Sequence, residues 1–292
     1  AYSAKRVLPS LWRPFVKRYY YAEKAMSDRL TRLHYQIYGA DLQQSNCCIG
    51  ISGGSAMKPF QALAFSGLAD YECIEKNQLL PLWVYAADHS RQDNITDWAL
   101  NQFRAHYHDP SIEKLAIFYY VYAVLHDPVY RETYALNFKA EFPRIPFYAD
   151  FRPWTAWGQA LVELHTGFEG VEPWPLVRKE ERSVSSTSKP RLKADKAAGK
   201  IEIDGVTRLE GVPPEAWDYR LGNRSALEWI LEEYQETTLR DPTLRTRFNA
   251  CCFADHKEQV IDLLRRVTRV SVETLRIVDA MRRMPLESRR PA

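Results

Sequence analysis

The sequence predicts an α+β protein: a β-rich N-terminal part packed on a mainly α-helical core, with a small hairpin toward the C-terminus. Three observations support this. Up to about residue 87 the apolar residues come in short strand-like runs between turn residues. At Asn94 the pattern changes to the helical period. Residues 200–203 and 206–209 flank an Asp204-Gly205 pair, the composition of a hairpin turn.

Taken in order, a basic stretch from Arg13 to Arg18 leads into Tyr19-Tyr20-Tyr21. Strands are expected at 46–51, 59–65, 69–74 and 79–85, the first ended by Ser52-Gly53-Gly54-Ser55. Residues 94–97 open a helix with apolar positions Trp98, Leu100, Phe103 and Tyr107. The stretch 116–147 reads as two helices joined by a tight corner. Ile117, Tyr120, Val121, Val124 and Leu125 form an apolar stripe, Asp127 caps the second helix, and Pro128 suits its first position. Tyr130, Tyr134, Leu136 and Phe138 are expected to face inward, before a Pro143-Arg144-Ile145-Pro146 strap. Residues 155–168 form another amphipathic helix, with Trp157, Leu161, Leu164 and His165 on one face.

Residues 171–176 are extended, and 178–200, basic and Ser-rich, are expected as a mobile loop. Pro213-Pro214-Glu215 starts a short helix. Ser225 and Glu228 form a capping box for a helix to about residue 235. Residues 255–284 make one long helix or two, with Arg265, Arg266, Arg269 and Arg276 mostly off the apolar stripe. The expected division is a β-rich subdomain at 1–90 and a mainly helical domain at 91–292.

A chain of 292 residues can bury a large core. The mean hydropathy is −0.43. No apolar run approaches the roughly 20 residues that cross a bilayer, and the N-terminus has no continuous apolar signal segment. The missing initiator Met predicts a piece of a longer protein. Cys47, Cys48, Cys73, Cys251 and Cys252 form neither a disulfide framework nor a zinc ribbon, and read as buried thiols in a reducing cytoplasm. The net charge of +3 is small, but its distribution is uneven: acids dominate 91–177, and bases dominate 178–200 and the last fifty residues. Such segregation suits an anionic partner or a solvated surface.

Catalytic motifs are weak. Gly50-Ile51-Ser52-Gly53-Gly54 fits the nucleophile-elbow pattern, yet strand-like residues follow where a helix is required, so a β-turn is the better explanation. Asp241 with Asp255 and Lys257 echoes a metal-dependent nuclease, but Asp255 sits where a helix begins. His106, His108 and Asp109 have a metal cluster's composition without further ligands at the right spacing. Phosphate-loop, dinucleotide and amino-methyltransferase signatures are absent, so the chain is expected to carry no catalytic residue and no metal site.

Several longer strings, in order, resemble one family: NITDW at 94–98, FYYVYAVLHDPVYR at 118–131, FPRIPF at 142–147, LVELH at 161–165, VEPWPL at 171–176, GVPPEAWDY at 211–219, LGNRSALEW at 221–229, IDLL at 261–264 and VSVET at 270–274. They resemble the C-terminal specificity region of type ISP restriction–modification enzymes, and the likeness spans nearly the whole chain. It implies a DNA target recognition domain without its own catalysis. In such enzymes a nuclease, a helicase-like motor and an adenine N6-methyltransferase lie upstream in the same polypeptide. The implied partners are double-stranded DNA and those upstream domains. S-adenosylmethionine, ATP and Mg would serve them, with no cofactor in this fragment, and the setting would be cytoplasmic antiphage defence. A scaffold that docks onto a methyltransferase or helicase while reading little DNA is the alternative.

Under the DNA-reading view, Lys58, Lys189, Arg191, Lys193 and Lys196 are the candidate phosphate contacts. Arg91, Gln92, Arg220 and Asn223 are the candidate base readers. Arg224 is expected to pair with a nearby acid.

Overall fold

The computed structural model describes residues 2–27, 30–86, 88, 90–181, 190–236, 243, 253–285 and 289. Lys189, Cys251, Cys252, Asp241 and most of 237–254 lie outside the described residues. The architecture is α+β, as the sequence predicts. Two compact units divide it: residues 1–167 with 221–223 and 276–292, and residues 168–220 with 224–275. The first boundary falls at 167/168 rather than near residue 90, because the early strands and the following helices share one core. Ile49, Ile51, Ala62, Ala64 and Leu82 pack in the same buried cluster as Phe103, Ile117, Tyr120 and Trp154.

In the first unit, β1 (Val7–Arg13) and β2 (Val16–Tyr21) form an antiparallel pair, and β5 (Leu68–Ala69) joins β1 in parallel. A second sheet has the order β4-β3-β6, from β3 (Cys47–Ile51), β4 (Ala62–Ser66) and β6 (Gln78–Pro81). A ribbon of β7 (Trp83–Tyr85) and β8 (Arg91–Asp93) completes the strands, and α1 (Arg32–Tyr38) packs on β7. The strand expected at 69–74 shrinks to Leu68–Ala69. The chain then turns, and Glu75 and Lys76 take positive φ.

Four helices follow: α2 (Asp97–Tyr107), α3 (Lys114–Val124), α4 (Pro128–Thr133) and α5 (Phe151–Thr166). Thr96 caps α2 by accepting the Ala99 N–H. Trp98, expected inside, is exposed. The helix α3 is a core helix rather than a one-sided one: Ile117, Phe118, Tyr120, Tyr122, Ala123 and Val124 are all buried. Asp127 caps α4 with Pro128 at its start, as expected. The inward face predicted beyond it holds only in part. Tyr130 and Phe138 are buried, while Tyr134 is exposed and Leu136 is 80% exposed, because α4 stops at Thr133 and a short 3-10 turn changes the phase.

The crossing of α3 and α5 depends on Gly158. A Cβ built there would lie 1.8 Å from the Tyr119 carbonyl oxygen, so no larger residue fits without moving a helix. Around this crossing the phenols find partners. Tyr120 donates to the Pro146 carbonyl at 2.7 Å, and Tyr107 donates to the Tyr148 carbonyl at 2.7 Å. Tyr122 accepts the Ala64 N–H, and its hydroxyl is hydrogen-bonded with His165 Nδ1 at 2.6 Å. Arg289 closes this unit. Its Nε lies 3.0 Å from Asp127 Oδ2, its Nη1 bonds the Met284 carbonyl at 2.7 Å, and both charged side chains are buried. Tyr148 donates to the same Asp127 carboxylate at 2.9 Å.

The second unit holds a four-stranded antiparallel sheet of order β10-β11-β12-β9, from β9 (Val177–Glu180), β10 (Pro190–Asp195), β11 (Lys200–Asp204) and β12 (Thr207–Glu210). The expected hairpin is β11–β12. The loop expected over 178–200 is corrected: both of its described ends are strands. An irregularity in register between Pro190 and Lys193, with Leu192 at φ 37°, accompanies burial of that leucine. After a two-strand pair, β13 (Arg220–Leu221) with β14 (Arg224–Ser225), comes α6 (Ala226–Glu233), whose Ser225/Glu228 capping box forms as predicted. The last helix, α7 (Lys257–Arg282), passes from the second unit into the first at Arg276. No helix among the described residues is long and apolar enough to cross a membrane.

Candidate nucleic-acid interface

The β9–β12 sheet has one apolar and one charged face because strand side chains alternate. Leu192, Ile201, Ile203 and Leu209 are buried. The β11–β12 turn is pinned from inside. Asp204 accepts the N–H groups of Val206 and Thr207, and its carboxylate lies 2.8 Å from Lys257 Nζ. Burial alone would raise the Asp204 pKa. The Lys257 ammonium and the two N–H donors outweigh it and hold the carboxyl below the usual range.

On the open face the register aligns Lys193, Glu202, Arg208 and Lys179 in one row across all four strands. Asp195, Lys200, Glu210 and Val177 form the next row. Glu202 is approached by Arg191 at 3.7 Å, and Arg208 pairs with Glu210 at 2.8 Å and with Glu181. Lys179 and Lys193 are exposed and make no ion pair among the described residues. Of the candidate phosphate contacts, Arg191 and Lys193 therefore share this face, joined by Lys179 and Arg208. Lys196 differs: its ammonium lies 2.6 Å from Glu228 and 5.6 Å from the Trp217 ring, so its charge is met inside the unit. Arg224 also serves structure, lying over Trp229 and bonding Glu232 at 2.8 Å.

A second cluster lies in the first unit. Gly222 has φ +71°, and Asn223 is not among the positive-φ residues, which suits a type II′ turn. A Cβ on Gly222 would meet Lys58 Cδ at 2.9 Å and Gln61 Nε2 at 3.1 Å. The structure thus brings Lys58 beside the turn that carries exposed Asn223. Arg220, which belongs to the second unit, is exposed on β13. Gln61 is buried, and neither of its amide atoms has a partner among the described residues.

The third location is the β7–β8 ribbon. Arg91 and Gln92 are neighbours in sequence, so they point to opposite faces. The Arg91 guanidinium lies over the Trp83 ring, 4.3 Å from its centroid. Gln92 lines a cavity of about 460 Å³ together with Arg32, Tyr35 and Gln36 of α1 and Tyr85 of β7. The α1 residues lie one turn apart on one helix face, a spacing the sequence carries but that signals nothing until the ribbon is placed against it.

Neither the Ser52 elbow nor the His106–His108–Asp109 cluster assembles a catalytic or metal site among the described residues. Ser52 is buried and accepts the Gln61 N–H at 3.0 Å, and turns and bends rather than a helix follow it. His108 caps α2 in a left-handed conformation, His106 stacks on Phe147, and Asp109 accepts from Ser111. Among the described residues no group of His, Cys, Asp and Glu could hold a metal ion. The buried His126 and His165 are core groups. Burial drives His126 well below its usual pKa and His165 down to about 3, and the Arg131 charge adds to both shifts, so each is neutral at pH 7. Burial likewise pushes the Cys47 and Cys48 thiols up to about 12, which removes them as nucleophiles.

A family model for the type ISP C-terminal specificity domain matches residues 1–263. The chain belongs to that family. Three solved structures share the fold of this specificity domain. A DrdV–DNA complex is 48% identical with a TM-score of 0.92, over 98% of this chain and 29% of that one. A nuclease-deletion mutant of the type ISP restriction–modification enzyme LlaGI, in complex with a DNA substrate mimic, is 26% identical with a TM-score of 0.77, over 96% and 25%. The ATP-dependent type ISP enzyme LlaBIII bound to DNA is 23% identical with a TM-score of 0.80, over 96% and 18%, a likeness of fold alone. The specificity domain thus spans less than a third of the length of each of these chains. No protein of curated function matches the sequence.

Proposed function

We propose that this specificity domain recognises the DNA target of a type ISP restriction–modification enzyme and presents it to catalytic domains elsewhere in the full-length protein. The observation that carries this reading is family membership over residues 1–263, together with 48% identity to a chain solved on DNA. In the full protein an adenine N6-methyltransferase and a helicase and nuclease would act on the positioned duplex. S-adenosylmethionine, ATP and Mg would belong to those domains, and the enzyme would work in the cytoplasm. The scaffold alternative is not favoured.

Three surfaces share the contact with DNA. Arg191, Lys193 and Lys179 hold phosphates on the open face of the β9–β12 sheet, with Lys189 added from outside the described residues. Lys58 and Asn223 supply a phosphate contact and a base contact at the Gly222 turn, and Arg220 supplies a base contact from the second unit. Arg91, fixed by Trp83, supplies one from the ribbon. Lys196 is withdrawn from the phosphate set because Glu228 neutralises it. Gln92 contacts DNA only where some part of the DNA enters its cavity.

The test is a titration of the chain against random-sequence duplex at several salt concentrations. Log affinity should fall linearly with log salt, with a slope of about −0.9 per phosphate neutralised. A Lys179→Gln, Lys193→Gln double variant should make that slope shallower by about 2. No binding at low salt, or binding indifferent to salt, sinks the reading.

A further inference from the structure

The cavity between α1 and the β7–β8 ribbon differs in kind from the charged surfaces, because it is concave. Base edges of a duplex lie on the floor of a groove and are reached by a helix or ribbon that enters it. A concavity cannot enter a groove. It can receive a group that projects from the DNA, and the planar group available is a base swung out of the stack. At about 460 Å³ the space lies within the range of small-ligand pockets.

The lining suits a nucleotide. Tyr35 offers a ring on which a base can stack, and Gln36 and Gln92 offer amide donors and acceptors for its edge. Arg32 offers a guanidinium for a flanking phosphate. The side chains of Arg32, Gln36 and Gln92 make no hydrogen bond or ion pair among the described residues. The walls are held in place. Buried Asn46 bonds the carbonyls of Ile37, on α1, and Trp83, on β7, at 2.8 and 2.7 Å, and Tyr85 donates to the Ser45 carbonyl at 3.0 Å. Such fixed spacing is what a stacking site requires.

We propose that this cavity holds a single unpaired nucleotide of the bound DNA, stacked at Tyr35 and read by Gln36 and Gln92. This rests on the DNA-reading role proposed above. Fluorescence anisotropy of the 292-residue chain tests it with two labelled duplexes that differ only by a central one-nucleotide bulge. Unpairing opposes extrusion and is already done in the bulge, so the wild type should bind the bulged duplex about tenfold more tightly. Tyr35→Ala and, separately, Gln92→Ala should each bring the ratio of the two affinities close to one. Equal wild-type affinity for the two duplexes, or a ratio unchanged in both variants, overturns the cavity assignment and leaves DNA reading intact. Failure to bind either duplex removes both. Calorimetric titration with dAMP and dGMP separates the sources of the nucleotide. Binding of either as tight as that of the bulged duplex assigns the cavity to a free mononucleotide and overturns the DNA assignment.

Discussion

The α3–α5 crossing and the β9–β12 sheet meet opposite demands with opposite residues. The crossing is aromatic, buried nearly all round, and locked by a glycine under a carbonyl and by phenols with assigned partners. The sheet keeps one apolar layer and spends its other face on Lys, Arg and Glu, several of them loosely paired. FYYVYAVLHDPVYR, FPRIPF and LVELH, which help identify the family, run through or beside the crossing, whereas Lys179 and Lys193 of the sheet and Arg91 of the ribbon lie outside every such string. The Gly222 turn, inside LGNRSALEW, is where recognisable sequence and a candidate contact coincide.

Each of four measurements can break that contrast. Arg289→Met should have the largest effect. It leaves the Asp127 carboxylate buried without its cation, and urea unfolding should show a loss of about 3–5 kcal/mol. A loss below 1 kcal/mol would mean that water reaches Asp127. Gly158→Ala should follow, at about 3 kcal/mol, since the new methyl must push backbone aside. A benign Gly158→Ala would show that the crossing is slack.

The third measurement is pH dependence. His126 and His165 have pKa values lowered by burial in the folded chain, so the unfolded chain takes up protons that the folded chain refuses. Stability should be complete above about pH 6.5 and fall by about 1.4 kcal/mol per pH unit for each histidine as the pH drops, down to about 3 for His165. The lowered carboxylates Asp204 and Glu228 act with the same sign, but only as the pH nears the carboxylate range. Melts between pH 7 and 5 should therefore report the histidines, and His165→Gln should flatten the curve there. The smallest change in stability belongs to the sheet: Lys179→Gln with Lys193→Gln should stay within about 0.5 kcal/mol of wild type while DNA affinity falls. A large loss of stability would make that face structural.

What was legible in the sequence was local. Asp127-Pro128, Ser225 with Glu228, and Asp204-Gly205 each fix a cap or turn within a few residues, and each appears as expected. Periodicity overreached where an element ended early, as at Leu136, or where an apolar residue sits on a solvent face, as at Trp98. The strands at either end of 178–200 were hidden because they are mostly charged: in β10 Lys193 faces Glu202 and Asp195 faces Lys200 while Leu192 is buried, and in β9 Lys179 faces Arg208. The cavity was hidden because Arg32 and Gln92 come from segments far apart in the chain. Arg91 and Gln92 looked like one reading pair until the ribbon separated them.

The Arg289–Asp127 clamp bears on exchanging specificities between enzymes. A transplant cut where the family match ends, at residue 263, would sever α7 part-way along its length and discard the arginine that neutralises Asp127. The graft would arrive with its charged sheet intact and its aromatic core unlatched. A hybrid enzyme that should acquire a new DNA target would instead be lost to misfolding, and its inactivity would be mistaken for incompatible recognition. Carrying the donor chain through Arg289 keeps both halves of the clamp in the same molecule.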